Sequence, residues 1–261
     1  MLIDKTPLHV WKPSLHEIAA GTLDAHQEGL SYPMLARRNH FQFSLGEMSG
    51  LDPENKRLTL AEMHDEDGRV IVPERVIRFN QLVLATGSGA NLFGTPGAAA
   101  HAHMLEGTDN ARAFQKRLTT AFMATAFSEA RILRIAIVGA GATGVELAAE
   151  LLEAHEAFGE ALAPDQRFRL DITLVEMAPR ILGGVPDRVA GQALDVLQQK
   201  GVRVLTETRV ERVGPEGLAT TGGEVPADLT VWAAGVKAAE RNTTYGPVSY
   251  THLRAHETVL D

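Results

Sequence analysis

The sequence predicts an α/β protein, and two patterns along its 261 residues indicate this class. Between residues 134 and 233, short β-branched and aliphatic runs alternate with longer segments of helical periodicity. This alternation is typical of a parallel sheet with helices on its faces. Between residues 41 and 85, short β-type runs separated by turn formers predict an antiparallel meander.

Turn-forming and capping residues set the expected bounds of each element. Residues 2–4 have the composition of a strand end, and short helices are expected at 15–20, closed by Gly21, and at 32–37. The strands expected after these are 41–45, 57–60, 70–72, 82–85, 134–138, 171–175, 202–205, 209–213, 217–220 and 229–233. Longer helices are expected at 108–126, from the turn after residue 138 to about residue 157, and from 187 to 200.

Composition excludes several classes of function. The formal net charge is −8 and no basic run is longer than Arg37-Arg38, so we expect no nucleic-acid partner. The absence of cysteine rules out disulfides, thiolate metal sites and a redox-active cysteine pair. The first residues lack the apolar stretch of an export signal. The longest apolar stretch, residues 135–145, is shorter than the ~20 residues of a membrane span.

A glycine-rich turn carries the clearest chemical signal. Gly139, Gly141 and Gly144 fit the pattern G-x-G-x-x-G directly after a predicted strand and at the start of a predicted helix. In this context the first glycine allows a tight turn, the second lets a pyrophosphate approach the backbone, and the third permits close helix–strand packing. The predicted nucleotide-binding residues of the turn therefore include Ala142 and Thr143. An ordinary glycine-rich βα turn stays the alternative.

Glu176 ends the next predicted strand. A carboxylate at this place can accept hydrogen bonds from both hydroxyls of the adenosine ribose and repels a 2′-phosphate, so we expect a preference for NADH over NADPH. The separation from Gly144 is longer than the usual ~20 residues, and the long helix and the loop near Pro164 account for the excess. A solvated glutamate at a strand end is the alternative interpretation.

Four stretches, in this order along the chain, resemble type II NADH dehydrogenases, the NADH:quinone oxidoreductases. They are residues 11–21, 84–88, 139–147 and 230–235. The resemblance covers roughly residues 1–240 and implies two dinucleotide-binding, Rossmann-like domains, one for FAD and one for NADH. It also implies hydride transfer from NADH to flavin and then electron transfer to quinone, with the cofactor supplying the redox chemistry.

The resemblance also implies roles for single residues. Those corresponding to FAD-binding positions are Asp4, Lys12, Pro13, Ala85, Thr86 and Gly87, and further cofactor-binding positions are Ala234 and Gly235. Glu146 corresponds to a catalytic glutamate that faces the nicotinamide and the flavin. A glutamate placed near the helix start only by the helix dipole is the alternative for this position. Trp11 and Trp232 are expected to be packing residues, and we expect no metal site.

The chain also departs from the family pattern. The first G-x-G-x-x-G of the family would precede Leu2, and its later Gly-Asp motif and C-terminal membrane helix are missing, so we expect an incomplete FAD domain. The expected domains are a partial FAD-binding domain at 1–104, an NADH-binding domain at 105–240 and a non-native tail at 241–261. From about residue 248 this tail resembles the translation of a sequencing adapter.

Three functions stay open at this point. The first is a FAD-dependent NADH:quinone oxidoreductase, cytoplasmic and peripheral on the inner face of the cell membrane in its complete form, for which the family pattern allows a homodimer. The second is another flavoprotein reductase that uses NADH or NADPH and passes electrons to a protein or small-molecule acceptor. The third is an NADH-binding fragment without catalytic activity.

Overall fold

A computed structural model describes residues 1–24, 27 and 29–238, so the tail expected at 241–261 lies outside the described residues. The strands are β1 (Leu2–Asp4), β2 (Leu8–His9), β3 (Leu30–Ser31), β4 (Phe43–Leu45), β5 (Met48–Asp52), β6 (Arg57–Leu60), β7 (Met63–His64), β8 (Val70–Val72), β9 (Arg75–Arg78), β10 (Ser88–Ala90), β11 (His103–Met104), β12 (Ile132–Val138), β13 (Arg169–Val175), β14 (Arg203–Leu205), β15 (Val210–Gly214), β16 (Gly217–Thr220), β17 (Gly223–Pro226), β18 (Leu229–Trp232) and β19 (Val236–Ala238). The α-helices are α1 (Leu15–Ala20), α2 (Tyr32–Arg38), α3 (Ala98–His101), α4 (Thr108–Ala126), α5 (Ala142–Glu160) and α6 (Asp187–Gln199).

The described residues form two compact units. The small-sheet unit comprises those within Met1–Val10, within His26–Gly89 and from Lys237 onward. The parallel-sheet unit comprises those within Trp11–Ala25 and Ala90–Val236. These units have other boundaries than the domains expected at 1–104 and 105–240, which stay a prediction. In the described part of the chain, no helix combines the length and hydrophobicity that crossing a bilayer requires.

The small-sheet unit contains several short ladders. Strands β1 and β4 pair in parallel, β5, β6 and β9 form a three-stranded antiparallel sheet, and the pairs β2–β3 and β7–β8 are antiparallel. Alternation along β6 turns Leu58 and Leu60 into the interior, where both are buried. Most other β positions of this unit stay partly open, and Val70 and Ile71 of β8 are more than half exposed.

One expectation for the small-sheet unit was wrong, and some of its strands were not expected. Residues 82–85 form no strand, and Val83 is exposed, although the run of apolar residues predicts a buried strand. A strand persists only when neighbouring strands satisfy its backbone groups, and the described residues offer no ladder at this place. Conversely, β5 was missed because Ser49 and Gly50 weaken its pattern, while pairing with β6 stabilises it.

The parallel-sheet unit is organised by one five-stranded sheet in the order β11-β18-β12-β13-β14, with every pair parallel. The central strand β12 consists of Ile, Leu, Val and Ala apart from Arg134. Its last four residues, 135–138, are all buried. A strand that is buried on both faces has a nearly continuous apolar sequence. The sequence pattern therefore identified β12, β13 and β18.

Both faces of this sheet are covered. On one face, Ala136 and Val138 of β12 pack in a cluster with Val213, Leu218 and Val225 from the antiparallel sheet β15-β16-β17. Alternation turns Ile135 and Ile137 to the other face, where helices α4 and α5 contact β12. The sheet β15-β16-β17 was expected only in its first two strands; the turn at 222–223 leads into a third.

Candidate dinucleotide-binding site

Three loops begin at the same level along one edge of the parallel sheet. Val138, the last residue of β12, pairs with Val175 on one side and with Trp232 on the other. The residues that follow these strands are Gly139, Glu176 and the segment 233–235. Ligands of open α/β sheets bind outside the carboxyl ends of the strands, where the strand order changes direction. Here the chain proceeds from β12 to β13 and β14 on one side and later places β18 on the other.

Two of the three glycines of the turn are required by the protein's own packing. Gly139 has a left-handed backbone (φ 100°), and a Cβ there would lie 2.7 Å from both the N and the Cα of Ala234. A Cβ at Gly144 would collide with the carbonyl oxygen of Gly139. The first glycine thus allows the turn beside β18, and the third lets α5 lie close to the end of β12, as the motif predicted.

The second glycine has no such explanation within the chain. Gly141 has an ordinary extended backbone (φ −73°, ψ −173°), and a Cβ there would meet no atom of another element among the described residues within 4 Å. It precedes the first residue of α5, whose N-terminus has no side-chain cap. The first N–H groups of a helix lack intrahelical acceptors and carry a partial positive charge, so this surface fits a pyrophosphate. Ala142 and Thr143 are exposed beside it.

Glu176 is half-buried and is fixed by the turn itself. Its Oε2 accepts a hydrogen bond from the N–H of Ala140 (2.7 Å), and its Oε1 accepts one from the N–H of Ala178 (2.8 Å). A carboxylate has about four acceptor positions, so these two bonds leave capacity for two ligand hydroxyls. The sequence predicted the carboxylate at this edge but not its bond to the glycine-rich turn, which joins residues 36 positions apart.

Ala234 and Gly235 follow β18 on the other side of the turn. Gly235 has a left-handed backbone (φ 67°), and a Cβ there would collide with the ring of Phe93. Trp232 is buried, and its Nε1 donates to the carbonyl oxygens of Asn91 and Ala234, each at 2.9 Å. The packing role expected for Trp232 is therefore confirmed. The same expectation for Trp11 was wrong, because its side chain is 68% exposed.

Glu146 lies in the second turn of α5 rather than in its first, and its side chain is half exposed. The side chain of His16 is only 11% exposed. Its Nδ1 lies 3.5 Å from Oε2 of Glu146. One helical turn further, Glu150 accepts a 2.5 Å hydrogen bond from the hydroxyl of Thr22. Two side chains from the region of α1 thus contact two carboxylates on α5.

The other predicted site residues are divided between the two units. Lys12 and Pro13 lie exposed in a short 3-10 helix (Lys12–Ser14) before α1, in the parallel-sheet unit. Asp4 ends β1 in the small-sheet unit, and its Oδ1 accepts hydrogen bonds from the N–H (2.9 Å) and hydroxyl (3.1 Å) of Thr6. The remaining three positions, also in that unit, are exposed and irregular: Ala85, Thr86 and Gly87.

Sequence reasoning missed the contacts made by His16, Asn91 and Phe93. His16 was noted only within a matched stretch, and Asn91 and Phe93 only as part of a glycine-rich loop. An aromatic residue inside a loop of glycine and proline was the available signal for Phe93. Nothing in the local pattern indicates that His16 reaches α5, since 130 residues separate it from Glu146.

The chain is similar to several known proteins. The chain is 37% identical to a type II NADH:quinone oxidoreductase of Haemophilus influenzae over 257 residues, covering 91% of this chain and 57% of that protein. It is 29% identical to the external alternative NAD(P)H-ubiquinone oxidoreductase B1, mitochondrial, of Solanum tuberosum, covering 86% and 41%. Its fold matches NDH2 from Plasmodium falciparum in complex with NADH, with a TM-score of 0.78, 18% identity and coverage of 91% and 50%.

These matches confirm the resemblance found in the motifs and the mixed α/β fold. The chain spans only about half the length of the relatives it matches. Residues 1–252 match the family model described as pyridine nucleotide-disulphide oxidoreductase. The chain therefore belongs to the pyridine nucleotide-disulphide oxidoreductase family.

Proposed function

We propose that the parallel-sheet unit binds NADH at the turn after β12, as part of a FAD-dependent NADH:quinone oxidoreductase. The observation that carries this proposal is Gly141: neither its backbone angles nor its protein neighbours require glycine, whereas a pyrophosphate approaching the backbone does. The names of the Haemophilus and Solanum relatives support NADH and quinone as the substrates.

The turn explains how the two halves of the nucleotide are held. The start of α5 receives the pyrophosphate, because its N–H groups point outward and no side chain caps them. Glu176 receives the adenosine ribose through the acceptor positions that Ala140 and Ala178 leave. A 2′-phosphate at the same place meets the carboxylate charge, so NADH is preferred to NADPH.

The flavin-binding part is proposed from the resemblance and from two features of the fold. Asp4 ends a parallel strand, the place at which an acid binds a ribose, and Gly87 has the left-handed backbone (φ 77°) of a tight turn. The residues that would hold FAD are Asp4, Lys12, Pro13, Ala85, Thr86 and Gly87. Bound FAD supplies the two-electron chemistry between NADH and quinone. All six residues fall within residues 1–104, the range proposed as the incomplete FAD domain.

Glu146 is the proposed catalytic residue of the chain. It follows the pyrophosphate-binding turn on the same helix, and its Oε2 lies 3.5 Å from Nδ1 of the nearly buried ring of His16. An exposed carboxylate on a fixed helix is able to orient a bound nicotinamide or to accept a proton beside it. In the complete protein we propose quinone as acceptor, peripheral association with the inner face of the membrane, a role in the respiratory chain, and a homodimer.

The nucleotide assignment is tested by measuring NADH and NADPH affinity of the chain and of Glu176→Ala. Loss of a charge-assisted hydrogen-bonding partner is expected to cost about 1.5–3 kcal/mol, or roughly ten- to a hundredfold in NADH affinity, and to relax discrimination against NADPH. Glu224→Ala, which removes an exposed carboxylate from β17 in the same unit, is the matched control. Equal affinities of wild type and Glu176→Ala for both nucleotides would refute the assignment.

Catalysis is tested separately by supplying the chain with FAD and a water-soluble quinone. NADH oxidation that requires both additions, and that Glu146→Gln slows without a large change in KM for NADH, supports the oxidoreductase. Nucleotide binding without such oxidation reduces the proposal to NADH binding by this chain.

A further inference from the structure

Phe93 combines two features that are unfavourable for an isolated domain. Its side chain is 66% exposed, so its ring gains little from burial. Its backbone is left-handed (φ 49°), a conformation that is uncommon for a bulky residue and strained without a compensating contact. The preceding residue, Leu92, packs against the core of the parallel-sheet unit, so the loop is anchored at its base.

Hydrogen bonds hold the backbone that presents this ring. Asn91 accepts a bond from the N–H of Phe93 through Oδ1 (3.0 Å) and donates its own N–H to the carbonyl oxygen of Gly235 (3.3 Å). The indole of the buried Trp232 donates to the carbonyl oxygen of Asn91. The loop is thus joined to the segment that follows β18, and the exposed ring has a defined place.

The ring of Phe93 approaches Gly235 closely. A Cβ at Gly235 would stand 2.5 and 2.7 Å from Cζ and Cε2 of Phe93, so any larger residue displaces the ring. Ala234, the preceding residue, makes the close approach to Gly139. A continuous surface therefore runs from the glycine-rich turn through the end of β18 to the ring of Phe93.

The strand order decides which part of a dinucleotide this surface meets. Glu176 follows β13 on one side of β12, whereas Gly235 and Phe93 lie beyond β18 on the other. A dinucleotide with its adenosine ribose at Glu176 and its pyrophosphate at the start of α5 extends in the direction of β18. Its second half, the nicotinamide riboside, then reaches the end of β18.

We propose that the exposed ring of Phe93 contacts the nicotinamide riboside of NADH, and that it favours binding of NADH over nucleotides that lack the nicotinamide. This role rests on the proposed function. A flat aromatic ring suits a flat, uncharged dihydronicotinamide and gives contact area with little loss of side-chain freedom. Gly235 is the residue that lets the ring lie at this place.

The inference is tested in the full chain with two probes, NADH and ADP-ribose, which lacks the nicotinamide. Phe93→Gly removes the ring and keeps the left-handed backbone, since glycine adopts it freely. We expect about two- to tenfold weaker NADH binding for Phe93→Gly and unchanged ADP-ribose binding. Phe93→Tyr is expected to retain the wild-type NADH affinity.

Phe127→Ala is the matched control, because Phe127 is equally exposed (65%) in the same unit and lies at the end of α4. It should change the affinity for neither probe. Equal weakening of NADH and ADP-ribose by Phe93→Gly, or no weakening of NADH, would overturn the role of the ring. If the wild-type chain binds neither NADH nor ADP-ribose, the proposed function is contradicted together with the role of Phe93. If it binds both, the proposed nucleotide site stands and the Phe93 variants decide the role of the ring.

Discussion

The parallel-sheet unit places five strands in a single sheet, whereas the small-sheet unit divides its strands among sheets of two or three. The central strands of the first are covered on both faces, and β18 is buried over its whole length. In the second, Leu58 and Leu60 form a small interior, while Val70, Ile71 and Val76 are more than half exposed.

This difference shows where each unit gains its stability. Burial of apolar surface contributes roughly 25 cal/mol per Å², so a sheet covered on both faces stabilises its own loops more than isolated pairs of strands do. The loops that carry Gly139, Glu176 and Gly235 follow β12, β13 and β18 of the large sheet. The residues proposed to bind FAD in the small-sheet unit follow short or absent strands, and this unit should be the first to respond to perturbation.

The largest effect is expected from Gly144→Ala, which should destabilise the parallel-sheet unit by about 4 kcal/mol. The added Cβ meets a backbone carbonyl oxygen that cannot rotate away, that of Gly139. Gly141→Ala is the control, because its Cβ enters open space, and it should cost less than about 1 kcal/mol while weakening NADH binding. Thermal unfolding measures the first effect and calorimetric titration the second. Equal stability losses for the two variants would contradict the division of roles between the glycines.

The next effect concerns the interior of the small-sheet unit. Leu60→Ala removes a fully buried side chain and should cost about 3 kcal/mol, whereas Val76→Ala, at a side chain that is 56% exposed, should cost less than about 1 kcal/mol. Hydrogen exchange should then accelerate in β5, β6 and β9 before it does in β12. Simultaneous acceleration in both units would show that they unfold together. It would contradict the proposed difference in stability between them.

A smaller effect is expected in acid, and it should fall on the parallel-sheet unit. Burial, followed by the charge of Arg117, lowers the pKa of His103 below the usual value of 6.5. Below about pH 6.5, His103 binds a proton in the unfolded chain but stays neutral in the folded chain. The free energy of unfolding therefore falls as the pH drops from about 6.5 through the folded pKa. His103→Leu should reduce this acid sensitivity in thermal unfolding, and His101→Leu, at an exposed position, should not. An unchanged pH profile in His103→Leu would assign the acid sensitivity to other groups.

The smallest effect is expected in alkali, in the small-sheet unit. Burial raises the pKa of Tyr32 above 10.0, and the charge of Asp4 and a hydrogen bond with it act in the same direction. Above about pH 10 the unfolded phenol loses its proton while the folded one keeps it, so stability decreases as pH rises further. Tyr32→Phe should flatten this loss, measured as the unfolding midpoint between pH 9 and about 11. A loss of the same size in Tyr32→Phe would exclude this phenol as its source.

Much of the parallel-sheet unit was predictable because its signals are local. The helix at 108–126 agrees with α4 at both ends, and Gly21 closes α1 with a left-handed backbone (φ 88°) as expected. The glycines of the turn were identified from the spacing of the motif. The contact of Gly144 with Gly139 lies within one βα unit, whereas the close approach of Gly139 to Ala234 is long-range. The small-sheet unit was predicted less well, since the partner of a strand decides whether an apolar run such as 82–85 becomes a strand.

Local sequence determined the α/β alternation, the glycine-rich turn and the acid at the end of β13, because residues close in the chain specify these features. Only the tertiary structure placed the ends of β12, β13 and β18 at one level, bonded Glu176 to Ala140, and set Phe93 on Gly235. These contacts join residues from 36 to 142 positions apart, beyond the reach of any helical or strand periodicity. They form because one buried sheet aligns its strands by backbone hydrogen bonds, and the loops at its edge then meet wherever the strand order brings them.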